Sequence, residues 1–235
     1  MSIAIGGNTA SKIYLGSDEV ERMYMGSNLV YGSAPVPLPY DAKIEYLQQG
    51  DGYSYIDTGY TPNEITPIIE TRIYLPTASS NAYPVGSDGS GDTRFSIGRL
   101  TANRIELRIG NYSSVGSQAA NWYVIKLDGS NGKAYINGTL KWTSSKLNFN
   151  DMTIALFSSH AISSSTGLPI IRGASSGAML KGVRISYFKL WNGATLLQDM
   201  IPVRVGQVGY MYDKVSGNLF GNAAQSGAFV LGADI

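Results

Sequence analysis

Cysteine is absent from the 235 residues, so no disulfide framework, thiolate nucleophile or cysteine-ligated zinc or iron–sulfur centre can form. Histidine is nearly absent. His160 stands alone, which excludes multi-histidine metal sites. Charge is sparse and balanced: Lys and Arg number 18, Asp and Glu 17, a net +1. That leaves no electrostatic footprint for a nucleic-acid backbone or an anionic membrane. No apolar run approaches the roughly 20 residues that span a bilayer, and the leading Met1-Ser-Ile-Ala-Ile-Gly-Gly-Asn8 has no basic stretch feeding an apolar one. No membrane insertion and no signal peptide are expected, so synthesis in a cytoplasm follows. Helical patterning is missing as well: no segment keeps an apolar 3.6-residue period over three turns, which removes α/β architectures.

What is abundant points the other way. Glycine contributes 28 residues, serine nearly as many, and they are spread along the whole chain. Turn-forming residues at that density predict many short strands joined by many turns, an all-β protein. Tyr outnumbers Phe by 16 to 6, so much of the aromatic surface carries a hydroxyl that wants water, backbone or ligand.

The first segment repeats itself. Lys12-Ile-Tyr-Leu-Gly-Ser-Asp-Glu-Val20 returns as Arg22-Met-Tyr-Met-Gly-Ser-Asn-Leu-Val30, keeping base, apolar, Tyr, apolar, Gly, Ser and Val in register. Each copy predicts strand, Gly-Ser turn, strand, and the pair predicts a small β-meander over 1–33. A piece of about 30 residues cannot bury enough apolar surface to stand alone. Ile13, Tyr14, Leu15, Met23, Tyr24, Met25 and Val30 are therefore the residues expected to dock it on a partner. Ala34-Pro-Val-Pro-Leu-Pro39 follows and predicts an extended spacer, with an ordinary loop as the alternative.

Residues 40–235 read as one long β domain, with strands expected at 43–47, 55–58, 68–75, 94–97, 104–109, 122–127, 133–136, 140–142, 153–157, 183–191, 196–201, 208–213 and 219–220. In 104–109, Ile105, Leu107 and Ile109 share one face, with Arg104, Glu106 and Arg108 on the other. Other strands are apolar on both faces, a mixture that suits two stacked sheets. The intervals 77–92 and 158–177 read as long loops, where binding chemistry and tolerated drift both concentrate.

The order of motifs resembles the concanavalin A-like (LamG-type) lectin/glucanase sandwich. The motifs are Gln49-Gly-Asp-Gly-Tyr-Ser-Tyr-Ile-Asp-Thr-Gly-Tyr60, the hairpin from Trp122 to Gly138, where Asp128-Gly, Asn131-Gly and Asn137-Gly supply turn chemistry, Thr153-Ile-Ala-Leu-Phe157 and Ile185-Ser-Tyr-Phe-Lys-Leu-Trp191. The likeness covers about 195 residues and implies a jelly-roll. The repeated segment, Asp199-Met-Ile-Pro-Val-Arg204 and the run from Gly209 to Asn222 further resemble virion proteins of gut-bacterial phages and prophages. That resemblance implies a head or tail fibre on the virion surface. It would be bound to other capsid or tail proteins, homo-oligomeric as a trimer, and would present the sandwich to bacterial surface glycan. A hydrolase on the same fold and a non-viral carbohydrate-binding module are the alternatives.

For glycan, the candidates are Tyr83, Asp88 and Asp92 in the first long loop, with Asn111 and Tyr112 just past a strand. They combine aromatic faces with polar partners. Trp122, Trp142 and Trp191 fall within strands and are expected in the core. Glycan hydrolysis needs paired carboxyl groups, and Glu45, Glu70 and Glu106 each lack an acidic neighbour two residues away, so no enzyme is expected. His160 is expected in a loop without the Gly-x-Ser-x-Gly turn of a triad nucleophile. Asp88 and Asp92 could offer oxygens to Ca²⁺, but the segment lacks the spacing of a calcium loop and reads as a glycine-rich turn. No cofactor is expected.

Overall fold

The computed structural model describes residues 13–15, 18–20, 23–25, 28–31, 37–89, 92–145, 147–162, 169–171, 180–224 and 226–235. The chain divides into two compact units, 1–38 and 39–235. In the first, β1 (Ile13–Leu15) pairs with β2 (Asp18–Val20), and β3 (Met23–Met25) with β4 (Asn28–Tyr31), both antiparallel. Each repeat thus forms its own antiparallel pair of strands. A meander would also join β2 to β3, and no such pairing is present among the described residues. Ile13, Tyr14, Leu15, Met23, Tyr24, Met25 and Val30 all lie on these strands; what their side chains touch lies outside the described residues.

The second unit begins with three short strands, β5 (Ala42–Lys43), β6 (Leu47–Gln49) and β7 (Ile56–Asp57). Longer ones follow: β8 (Pro67–Leu75), β9 (Ala82–Asp88), β10 (Arg94–Arg99), β11 (Arg104–Ser117), β12 (Asn121–Asp128), β13 (Lys133–Ile136) and β14 (Thr139–Thr143). Next come β15 (Ala155–Leu156), β16 (His160–Ile162) and β17 (Pro169–Ile171). The chain closes with β18 (Arg184–Asn192), β19 (Thr195–Val205), β20 (Val208–Asp213), β21 (Leu219–Phe220) and β22 (Phe229–Leu231).

These strands build two sheets. One runs β11-β10-β9-β15-β7, with β16 joining β9 and carrying β17; the other runs β14-β13-β12-β8-β18-β19-β20-β21, with β5, β6 and β22 alongside. Pairing is antiparallel except between β16 and β9. The expected Asn-Gly turn chemistry appears between β13 and β14, where Asn137 and Gly138 take φ of 50° and 75°. Two successive positive φ angles are what a tight hairpin turn demands.

A single apolar cluster draws on both sheets. Ile69 and Ile73 of β8, Ile125 and Leu127 of β12, and Phe188 and Leu190 of β18 meet Val85 of β9, Phe95 and Ile97 of β10, and Ile105, Leu107 and Ile109 of β11. Alternate residues pointing into one shared layer make a β-sandwich. Arg99, two positions beyond Ile97 on β10, is also fully buried. Its Nε, Nη1 and Nη2 donate to the carbonyls of Pro76 (2.9 Å), Asn103 (2.7 Å) and Gln118 (2.9 Å). Burial pulls its pKa down.

The Gln49–Tyr60 segment quoted for its family likeness acts as a staple. Asp51 accepts hydrogen bonds from the backbone N–H of Tyr53 (2.7 Å), Ser54 (3.1 Å) and Ala228 (2.8 Å), which ties this segment to the end of the chain. Burial works to raise the Asp51 pKa, but the donated hydrogen bonds outweigh it and hold the carboxyl below its usual value.

Several expectations are corrected. The stretch 77–92 is not a loop throughout, because β9 is the middle of its sheet, flanked by β10 and β15. Pro84 and Gly86 disguise it. Pro84 is tolerated because the β9–β10 register shifts beside it, so no ladder bond requires its missing N–H. The interval 158–177 holds β16 and β17, so His160 sits on a strand and not in a loop. The strand expected at 43–47 is broken between β5 and β6, and β11 runs on to Ser117. Of the three tryptophans, Trp142 packs against the core. Trp122 instead lies on the outer face of the larger sheet, in contact with Tyr46 and Tyr74.

Candidate functional site

The strands β9, β10 and β11 lie side by side, so residues alternating with their core positions share the opposite, outward face. Tyr83 and Asp88 come from β9, Ser96 and Gly98 from β10, and Glu106 and Arg108 from β11. Gly98 makes the arrangement possible. A Cβ there would lie 2.7 Å from the Tyr83 ring and 3.2 Å from the Glu106 Cβ, so only a bare backbone lets the tyrosine cross the strand.

Arg108 organises the group. Its Nε donates to Glu106, one Nη to Asp88 and the other to the Tyr83 hydroxyl. Its guanidinium carbon sits 3.8 Å from the Tyr83 ring centre. Burial would lower the Arg108 pKa, but the charges of Asp88, Tyr83 and Glu106 overcome it and the value is raised. All four residues are buried. Toward solvent the group continues through Arg94, whose Nε is 3.5 Å from Asp88, to Tyr112 on β11. Arg94 and Arg108 approach the Tyr112 ring at 5.5 Å and 5.8 Å, and that ring is 56% exposed. A flat ring with cationic donors beside it, anchored on a rigid sheet, suits a polar ligand that also has an apolar face.

Of the five glycan candidates, the structure brings together Tyr83, Asp88 and Tyr112. Asn111 belongs to the other side of β11, where its side-chain oxygen accepts a hydrogen bond from the Ser144 hydroxyl at 2.6 Å. Asp92 is exposed on the connection between β9 and β10. Tyr83 and Asp88 are buried strand residues, not loop residues, because β9 is central to its sheet. Glu106, Arg108 and Arg94 were not among the candidates. The signal for the first two was the alternation in 104–109, which reads as a solvent face unless opposite charges two residues apart are recognised as one network.

Asp88 and Glu106 converge from two strands, yet they meet on a guanidinium and are only 1% and 5% exposed, whereas glycosidic cleavage needs carboxyl groups flanking an open bond. His160 Nδ1 lies 2.7 Å from the Thr153 carbonyl and 2.9 Å from the Thr153 hydroxyl, and Nε2 lies 3.9 Å from Asp57. A carbonyl only accepts, so Nδ1 carries the proton and cannot act as base toward that hydroxyl. Among the described residues no group of three His, Cys, Asp or Glu could hold a metal ion. Among the described residues no helix is long and apolar enough to cross a membrane. No protein-family model matches the chain, and no curated protein matches it significantly.

Proposed function

We propose that residues 39–235 form a concanavalin A-like jelly-roll that binds bacterial surface glycan without cleaving it, and that the hairpin repeats attach this domain to a phage particle as part of a head or tail fibre. One observation carries the glycan reading: an exposed Tyr112 ring beside Arg94 and Arg108, held in place by a buried Arg108–Asp88–Glu106–Tyr83 network. The ring offers a platform for the C–H face of a sugar, and the partly exposed Arg94 guanidinium offers donors for its hydroxyls. The attachment reading rests on the two short hairpins, which are too small to bury a core of their own. Self-association, as a trimer, would supply the missing burial.

The full chain on a glycan array tests the first part. Binding is expected, and Tyr112→Ala, at an exposed position, should weaken it by about tenfold with no change in melting. An array without hits, or a hit indifferent to Tyr112→Ala, would overturn the reading. Turnover of a bound glycan would favour the hydrolase instead. Light scattering tests the second part: a trimer supports it, and a monomer would leave a carbohydrate-binding module with no particle role.

A further inference from the structure

The outward face of the larger sheet carries a second group of arginines, built differently. Glu70, Arg72 and Tyr74 alternate on β8 with the buried Ile69, Thr71, Ile73 and Leu75, and so point away from the core. Register sets Trp122 of β12 and Arg184 of β18 on either side of Tyr74, with Gln48 of β6 beyond Arg184. A register shift between Ile185 and Tyr187 brings Ser186 within reach of Arg72.

In this row the guanidinium groups rest on rings. Arg72 stacks over Trp122 at 4.5 Å, and Arg184 lies 4.7 Å from the Tyr46 ring and 5.1 Å from that of Tyr74. Each also makes one neutral hydrogen bond, Arg72 to the Ser186 hydroxyl (3.3 Å) and Arg184 to the Gln48 side-chain oxygen (2.7 Å). Among the described residues neither forms an ion pair with a carboxylate. A guanidinium has five N–H donors in a planar fork, and stacking fixes that plane without occupying its edge. The two arginines line a cleft of about 430 Å³ with Tyr46, Trp122, Glu45 and Ile235. Arg72 also lines an adjoining cleft of about 320 Å³ with Lys43, Glu45 and Lys214, the last ion-paired to Asp199 at 2.6 Å.

We propose that this cleft binds an acidic sugar, a pyranose bearing a carboxylate. The carboxylate takes the open N–H edges of Arg72 and Arg184, and the C–H groups of the ring lie beside Trp122 and Tyr46, one face of each being already covered by a guanidinium. Charge complementarity selects the acid over a neutral sugar. Two cations held by aromatic rings keep their charge for a ligand, and a carboxylate matches the fork of a guanidinium with two parallel hydrogen bonds. A carboxylate alone would not use the aromatic wall, and a neutral sugar would offer neither guanidinium fork a carboxylate, which among the described residues Glu45 at the cleft wall does not supply as an ion pair. This site and the Tyr112 face lie on different sheets, so either can fail without the other.

Calorimetric titration of the full chain with a short oligogalacturonate at low ionic strength tests the proposal, with the fully methyl-esterified oligomer as the partner probe. The ester removes the charge and little else. The acid is expected to bind about tenfold more tightly than the ester, and to weaken as salt screens the cleft. Arg72→Gln and Arg184→Gln should each weaken it by about tenfold, and Arg184→Lys, which keeps charge without the fork, by less. Should a glutamine variant fail to fold, Arg184→Lys and the acid-to-ester ratio still decide. Equal binding of acid and ester, absence of binding, or affinity untouched in folded Arg72→Gln and Arg184→Gln would each overturn the proposal. Binding that follows Tyr112→Ala and not the arginine variants would assign the acid to the other face and overturn it as well.

Discussion

On the smaller sheet Arg108 is buried and meets Asp88, Glu106 and the Tyr83 hydroxyl; on the larger sheet Arg72 and Arg184 rest on Trp122, Tyr46 and Tyr74 with no carboxylate partner among the described residues. The two faces use the same side chain toward different ends. A guanidinium surrounded by carboxylates is neutralised within the fold, so it fixes how β9 and β11 sit but has little charge left for a ligand. A guanidinium on a ring gains less, about 0.5–1 kcal/mol at an exposed site, and keeps its charge. Ligand contact on the first face therefore falls to its rim at Tyr112, while on the second the arginines themselves make it.

The comparison breaks most visibly at Arg99, the third way this chain holds a guanidinium. It is fully buried and bonded to three carbonyl oxygens. Arg99→Met keeps the aliphatic stem but takes this donor from the Pro76 and Gln118 carbonyls, while the Asn103 carbonyl keeps the Gln118 N–H at 3.0 Å. A loss of about 4 kcal/mol in urea unfolding is expected, the largest of any single arginine change. A cost under about 1 kcal/mol would mean that water replaces the guanidinium, and Arg99 would then be no part of the core.

Arg108 comes next. Arg108→Met strands two buried carboxyl groups, which should cost about 3 kcal/mol at neutral pH. The penalty should shrink in acid, as protons replace the missing cation. Arg184→Gln should cost less than about 1 kcal/mol and show no such recovery. If the two substitutions cost the same at neutral pH, the distinction between carboxylate-held and ring-held arginines is void.

Much of this architecture was legible beforehand. Alternation in 104–109 predicted which residues of β11 enter the core, because a strand covered on one face must alternate. Asn137-Gly138 predicted its hairpin, because two positive φ angles admit few other residues. β9 was not legible, since Ala82-Tyr-Pro-Val-Gly-Ser-Asp88 has weak strand propensity and is made a strand by the partners on either side. The site was half legible for the same reason. Tyr83, Asp88 and Tyr112 were recognised by residue type, but only strand register shows that Arg108 joins them. The ring-held arginines left no local trace, because Tyr46, Arg72, Trp122 and Arg184 come from distant parts of the chain.

Gly98 sharpens the comparison from the backbone side. Gly98→Ala adds one carbon where the Tyr83 ring lies 2.7 Å away, so the ring or the strand must move. About 1–3 kcal/mol of destabilisation is expected, the usual cost of overpacking. Glycan binding through Tyr112 should weaken with it, because the network behind that ring is disturbed. Acidic-sugar binding on the other sheet should stay as it was. Loss on both sheets together would show that the faces are coupled through the core.

The smallest effect concerns Tyr187, which belongs to the ring-held face. Its hydroxyl donates to Glu70 at 3.1 Å, and its pKa is pushed up to about 12, first by burial and then by the Glu70 charge and hydrogen bond, with Arg72 pulling the other way. Because the folded value lies above the unfolded value near 10, the folded state holds this proton more tightly. The stability it contributes is complete below pH 10 and is lost as pH rises from 10 toward 12. Glu70→Gln removes the second cause and leaves the first, so in a spectrophotometric titration the last phenol should ionise at a lower pH than in the parent, yet still above 10. An unchanged curve would mean that Glu70 exerts no field on this face. Glu70 would then exert no pull on Arg72, and the variant should leave acidic-sugar affinity unaltered.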